Sequence, residues 1–383
     1  MRKHTAVGID IGTQDIKIVV SSYDPTNERT LPKIIGTSIV ESKGVRHGYI
    51  VNMTETVKSL RIAIAQAERA SNTKIKKAFV SIGGVSLQSV SSVGSVIITR
   101  GDAEVSEIDL NKATAAAERN LSPSHMSNRR IVHTIPLSYR IDGKTVLGRP
   151  QGMKGSKLEV KVLFITCLTQ HLEDLLETAD EAGIEVLDVT AAPIAASLVL
   201  LSKNQKVAGC VLADIGAETV SIVMYENNLP LSLDVFSIGS SDITNDIALG
   251  LKIPIEDAES IKRGETIKTE FSKKKLDDII EARLSDMFEL IEEHLEKNDK
   301  NGLLPAGIII SGAGSHKEGI DEIAKSILKL PARTVSQKES GLSVAYGLSV
   351  LGLGTEENSN SGEPISKSPI VKKILSFFKQ FLP

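Results

Sequence analysis

AVGIDIGTQDIKIVV, residues 6–20, returns half a chain later as CVLADIGAETVSIVM, residues 210–224. Laid together without gaps, the two stretches share Val, Asp, Ile, Gly, Ile and Val at matching places. Each reads as an apolar strand, Asp-Ile-Gly, a short polar turn and a second strand of alternating apolar residues. That is a β-hairpin whose tip carries one carboxylate and one glycine. A duplicated hairpin implies two related domains facing each other across a shared ligand. Phosphate oxygens need N–H donors close by, and a Cβ at the tip would hold the backbone away, which is the use of Gly12 and Gly216. Asp10 and Asp214, at the strand ends, suit a Mg²⁺ ion held through its water shell. A single Asp-x-Gly turn is commonplace in α/β proteins; the matched pair with matched flanking strands favours the phosphate reading.

A third glycine turn lies in AGIIISGAGS, residues 306–315: an apolar strand, then Gly312-Ala313-Gly314, then helix-compatible sequence from Lys317 to Leu330. It brings backbone close to a flat or anionic ligand, or is a plain strand-to-helix connection. SDITNDIALGLKIPIEDAESIKRGE, residues 241–265, reads as two helices split at Pro254. Glu259, Lys262 and Arg263 stand at i, i+3 and i+4 on one helical face. They could bracket a ribose and a purine, or form a solvated charged face.

Hairpin, second hairpin and late glycine turn, in that order, resemble the superfamily of actin, sugar kinases and heat-shock chaperones. Within it the chain resembles the FtsA family of bacterial cell-division proteins. The likeness rests on IVESKGVRHGYIVNMTETVKSLRIAIAQAE (39–68), FVSIGG (79–84), RIVHTIPLSYRID (130–142), KVLFITC (161–167), residues 241–265 and the late glycine turn. It implies an α/β, actin-like ATPase fold of two related domains. Each would hold a mixed sheet flanked by helices, with a small α+β subdomain inserted in the first. It implies ATP and Mg²⁺ as cofactors, with Gly12, Thr13, Gln14 and Lys17 in the first phosphate loop and Gly216, Ala217, Glu218 and Thr219 in the second. Glu259, Lys262 and Arg263 would take the ribose and adenine side, Gly312, Ala313, Gly314 and Ser315 the adenosine loop. Implied partners are the C-terminal peptide of FtsZ, gripped by the second domain's helical lobe, further copies of the chain in an actin-like protofilament, and other division proteins met by the insert. The implied location is the cytoplasmic face of the inner membrane at the septum.

Two departures bear on the chemistry. The second loop is usually glycine-rich, whereas Ala217-Glu218 follows Gly216 here. A carboxylate about 5 Å from a triphosphate costs roughly 3 kcal/mol at an effective dielectric of about 20, so Glu218 should point outward or weaken binding. Relatives place a water-orienting Glu before a Pro-Ala turn, but the matching stretch here is Thr190-Ala191-Ala192-Pro193, with Asp188 on the preceding strand. ATP is expected to be bound and hydrolysed slowly, if at all.

The chain's 383 residues are enough for two domains with substantial cores. The first domain is read as 1–84 and 166–205, with 341–354 packing back; the insert as 85–165; the second domain as 206–340 with a helical lobe at 242–300. A net charge of −3 argues against nucleic acid as the main partner. No run approaches the ~20 apolar residues of a spanning helix, and the first strand begins so early that no signal peptide is expected. Cys167 and Cys210 sit in apolar strand-like runs and read as buried small hydrophobes. His47 and His133 read as surface or polar-contact residues.

The tail is the second strong signal. Residues 355–368 are acidic, bear Asn, Ser, Gly and Pro, and read as a flexible linker of roughly 20 Å as a random coil. SPIVKKILSFFKQFLP follows, with Ser368 as helix cap and Pro369 at the first helical position. At 100° per residue, Ile370, Val371, Ile374, Leu375, Phe377, Phe378, Phe381 and Leu382 fall within an arc of about 160°. Lys372, Lys373 and Lys379 occupy the opposite face with Ser376 and Gln380. Residues 369–383 are too short to span and cationic on the polar side. They should lie in an anionic membrane surface, the lysines contributing roughly 3 kcal/mol. Docking on the chain's own core or in a partner groove is the bland alternative.

An ATP-clamping body with a tethered membrane helix reads as an adaptor that polymerises and holds FtsZ filaments at the membrane as the septal ring assembles. Two rivals stand: a PilM-like pilus-assembly protein of the same fold, and a small-molecule kinase. The kinase would need a cleft acid to deprotonate a hydroxyl.

Overall fold

A computed structural model describes residues 5–23, 31–265, 271–315, 317–336 and 340–359. The first hairpin is β1 (Thr5–Ile11) and β2 (Asp15–Ser22), followed by β3 (Lys33–Glu41), a small ribbon of β4 (Val45–Arg46) and β5 (Tyr49–Ile50), α1 (Met53–Ser71) and β6 (Lys77–Ile82). The turn closes as Gly12 N–H donates to Asp15 O at 3.1 Å, and the register pairs Asp10 with Lys17. α1 buries Val57, Leu60, Ala63, Ile64 and Ala67, the i, i+3, i+4 stripe of an amphipathic helix, and its first turn is capped by Asn52.

The insert comprises β7 (Gln88–Ile97), α2 (Glu107–Arg119), the single turn α3 (Pro123–Met126), β8 (Arg129–Ile141), β9 (Lys144–Val146) and β10 (Lys157–Leu168). Ser106 and Asp109 form a reciprocal cap at the start of α2. The helix lies on the sheet over its own small core of Leu110, Ala113, Ala117, Leu158, Val160 and Phe164. The backbones come so close that a Cβ on Gly94 would stand 2.0 Å from Ala113 O.

The chain returns through α4 (Thr169–Glu181), β11 (Glu185–Ala191) and the connecting helix α5 (Ala192–Leu200). A short α6 (Lys203–Ala208) leads to the second hairpin, β12 (Cys210–Ile215) and β13 (Val220–Glu226), and then β14 (Leu229–Phe236). The helical lobe holds α7 (Ser240–Leu251), α8 (Ile255–Lys262) and α9 (Lys273–Lys297), with the break at Pro254 where proline forbids continuation. β15 (Ile308–Ser311), a 3₁₀ turn at Ala313–Ser315, α10 (Ile320–Leu328), β16 (Ala332–Thr334) and α11 (Ser343–Ser359) complete the described chain.

The duplication read from the sequence extends to the sheets. The first is ordered β11-β6-β1-β2-β3, and half of the second β16-β15-β12-β13-β14, with the same parallel and antiparallel partners. The central strands are covered on both faces and are therefore near-continuously apolar, as in CVLADI of β12. α11 packs back on the first domain, close enough that a Cβ on Gly8 would lie 2.0 Å from Ala345 O and one on Gly347 1.9 Å from Ala195 O.

Several expectations need correcting. α11 continues through Ser359, into residues read as flexible linker; after Gly354, glycine or proline first recurs at Gly362, so nothing local stops the helix. The remaining linker and the amphipathic segment 369–383 lie outside the described residues. The insert is not confined to the first domain's framework: β7 pairs with β14 at Gln88 and Asp234, so the insert's strands prolong the second domain's sheet to nine. Of the two readings for His133, surface or polar contact, the structure gives the second. The residue is 2% exposed, accepts a hydrogen bond from Ala191 N–H at 2.9 Å, and burial pushes its imidazole down to about 4. Cys167 and Cys210 are free and buried as expected, their thiols pushed up by burial to about 11 and about 12.

Candidate functional site

The two hairpin tips face each other across a cavity of about 110 Å³. Gly12, Thr13, Gln14 and Lys17 line it from the first domain, Gly216, Ala217 and Thr219 from the second, and Gly312 and Ala313 from the late turn. It adjoins a second cavity of about 580 Å³ lined by Glu218, Glu259, Lys262 and Arg263, with Thr13, Gln14, Asp15 and Ala217 common to both.

Asp10 and Asp214 stand at the floor, each half-buried at its strand end. Burial raises the Asp10 carboxyl, against the pull of Lys17 and of Ser81, whose Oγ donates to Asp10 Oδ1 at 2.7 Å. Burial pushes Asp214 up to about 6, with Lys17 opposing and the Asp10 charge adding. Two sheltered carboxylates thus share one lysine and are under-compensated. That donor set fits Mg²⁺, which keeps most of its waters and takes one or two carboxylates besides phosphate oxygens. Among the described residues no cluster of three or more His, Cys, Asp or Glu could cage a metal directly.

The glycines fit the same purpose. A Cβ on Gly312, whose φ is +95°, would lie 2.3 Å from Ile215 O and 2.7 Å from Asp214 Oδ1, so this turn must rest its backbone on the second hairpin. Gly314 and Ser315, the other two residues of the expected adenosine loop, stand behind Gly312 and Ala313 rather than in the cavity lining. A Cβ on Gly314 would meet Ile215 and Ser240, and the buried Ser315 hydroxyl donates to Gly312 O at 2.8 Å, closing the 3₁₀ turn.

Glu259, Lys262 and Arg263 do share a face, and they hold one another. Glu259 accepts from Thr244 Oγ1 at 2.6 Å, Lys262 Nζ at 2.7 Å and Arg263 Nε at 2.8 Å. Burial alone would raise the Glu259 carboxyl; the bonds from Lys262, Thr244 and Arg263 outweigh it and hold it at about 2. Ala192 lines the cavity at the start of α5, so the stretch matched to the relatives' water-orienting acid presents a methyl group.

Sequence reading missed part of the wall. Gly48, Gly83 and Gly84 line the small cavity, and a Cβ on Gly48 would stand 2.4 Å from Gly84 Cα. Their signal in the sequence is the glycines within GVRHGYIVN and FVSIGG. Ser340, Gly341, Ser343 and Val344, at the start of α11, close the floor. Arg46 was also missed, and with it the position of Glu218. That carboxylate turns out of the small cavity to Arg46 Nη1 at 2.5 Å and to the His47 N–H at 2.7 Å.

Compared with curated proteins, the chain is 30% identical to the cell division protein FtsA of Pseudomonas aeruginosa, over 96% of both chains. The chain belongs to the FtsA family. It is also 30% identical to FtsA of Bacillus subtilis, over 88% of this chain and 79% of that protein. The family profile for cell division protein FtsA matches residues 211–350, and the profile for the SHS2 domain inserted in FtsA matches residues 84–166. Among solved structures, the PilM–PilN type IV pilus biogenesis complex superposes with a TM-score of 0.68 at 18% identity, covering 91% of this chain and 98% of that one. MreB5 of Spiroplasma citri bound to ADP gives 0.55 at 14% identity, over 94% and 99%. These likenesses establish the actin-like fold of this FtsA-family chain. No described helix is long and apolar enough to cross a membrane.

Proposed function

We propose that this FtsA-family protein binds ATP with Mg²⁺ between its two domains, polymerises through its actin-like body, and tethers FtsZ filaments to the cytoplasmic membrane at the division septum. The observation that carries the nucleotide reading is the convergence of both Asp-Ile-Gly hairpins and the Gly312 turn on one cavity floored by Asp10, Lys17 and Asp214. The structural neighbour MreB5 was solved with ADP, and the neighbour MamK, with a TM-score of 0.51, as a double helical filament. Asp10 and Asp214 would hold the ion, and Lys17 with the glycine backbones the phosphates. Mg²⁺ would neutralise phosphate charge. The nucleotide then acts as a population-shifting latch that favours the closed, polymerising subunit, with slow hydrolysis at most.

Anchorage falls to residues 369–383, with the insert meeting other division proteins and the helical lobe receiving the FtsZ C-terminal peptide. A pilus-assembly role has one observation in its favour, the 0.68 TM-score to the PilM–PilN complex; the named sequence relatives favour division. Co-sedimentation with anionic vesicles tests the adaptor. Full-length protein should pellet and bring FtsZ down, and a chain ending at Ser359, which keeps all of the described α11, should stay soluble. If FtsZ remains in the supernatant while the full-length chain pellets, the adaptor reading fails and the pilus-type reading gains.

A further inference from the structure

The second phosphate-type hairpin carries a carboxylate where a phosphate cradle should carry none. Its neighbours Ala217 and Thr219 line the small cavity, yet the Glu218 side chain lies in the outer cleft, 11% exposed. Both of its oxygens are engaged by the opposite domain. Arg46 Nη1 donates to Oε1 at 2.5 Å and the His47 N–H to Oε2 at 2.7 Å. The Glu218 carbonyl lies 3.2 Å from His47 Nδ1, which is also 3.3 Å from Ser237 Oγ.

The donors are placed by a specific local structure. β4 and β5 pair Arg46 with Tyr49, leaving His47 and Gly48 as a two-residue loop, and their φ angles are +47° and +84°. Two successive left-handed residues make the tight hairpin turn whose twist matches its strands. This turn aims the Arg46 guanidinium and the His47 amide at a single carboxylate 171 and 172 residues away.

We propose that Arg46 is a positioning residue for nucleotide: with the His47 amide it holds Glu218 out of the phosphate space, so that the second hairpin can accept the phosphate chain despite its acid. This inference rests on the nucleotide reading above. Without Arg46 the carboxylate loses its cation and turns its charge on the phosphates, an effect that scales with phosphate charge and is partly screened by salt.

Isothermal titration with adenosine, ADP and ATP, each with Mg²⁺, on the full-length protein tests it in four forms: parent, Arg46→Ala, Glu218→Gln and the double variant. Arg46→Ala should weaken ATP by about tenfold or more, ADP less, and adenosine hardly at all. Glu218→Gln should bind ATP as well as the parent or better, and the double variant should match Glu218→Gln. An Arg46→Ala protein that binds ATP like the parent overturns the proposal. So does a Glu218→Gln protein as weak as Arg46→Ala, or equal losses for adenosine and ATP, because either would mark the contact as a brace between domains. A parent that binds adenosine nucleotides not at all would instead remove the nucleotide reading, and this inference with it.

Discussion

Asp214 shows how a residue can be a burden to the fold and an asset to a site. Burial raises its folded pKa to about 6 from an ordinary 3.8, so the folded chain holds the proton more tightly than the unfolded one. The cost of the charged form is absent below pH 4, grows as pH rises towards 6, and is complete above it. Asp214→Asn should therefore be more stable than the parent by about 3 kcal/mol at pH 7 without Mg²⁺, and about equal near pH 4, as read by urea denaturation. With Mg-ATP present at pH 7 the order should reverse, because only the parent gains from the ligand. Gly312→Ala tests the neighbouring turn. Its φ of +95° and the contact of 2.3 Å to Ile215 O should cost 2 kcal/mol or more and loosen nucleotide, seen as a lower denaturation midpoint and a weaker titration.

At the scale of elements, α11 is a rod wedged by glycines. Gly8→Ala should separate it from β1 and lower stability by about 2–3 kcal/mol, while Gly94→Ala should disturb the α2–β7 contact of the insert and leave ATP binding unchanged. Calorimetry with ligand titration distinguishes the two. Most elements were legible because their signals are local. Alternating apolar residues on either side of Asp-Ile-Gly marked both hairpins, and Pro254 divided α7 from α8. The end of α11 was not legible, since the polar residues after Gly354 suit a helix as well as a coil. The burial of His133 was hidden too: nothing in its strand says that the end of β11 will bond to it. Of the site, the glycines and the paired aspartates could be read. The Arg46–Glu218 contact could not, because it joins residues far apart in the chain through a turn geometry that His47-Gly48 does not advertise.

At the scale of the molecule, two sheets of the same order meet over one cleft, and everything proposed for nucleotide happens at their shared edge. Ligand should then stabilise both lobes together, by about 2.7 kcal/mol at a hundredfold excess over Kd. Hydrogen exchange should slow at both hairpin tips, the Gly312 turn and the β4–β5 ribbon at once; protection of one lobe alone would contradict a clamp. The insert adds a different coupling. It is covalently part of the first lobe, yet its sheet meets the second at Gln88–Asp234, reinforced by Ser89 Oγ, which accepts from Leu233 N–H at 2.8 Å and donates to Leu233 O at 2.9 Å. Hydrogen bonds loaded in a long row share a pull, whereas a seam of one ladder pair and one serine gathers it into a few bonds. Tension on the insert, from a neighbouring subunit or a bound partner, would tear that seam first and leave both flanking sheets whole, making it the mechanical fuse of the molecule.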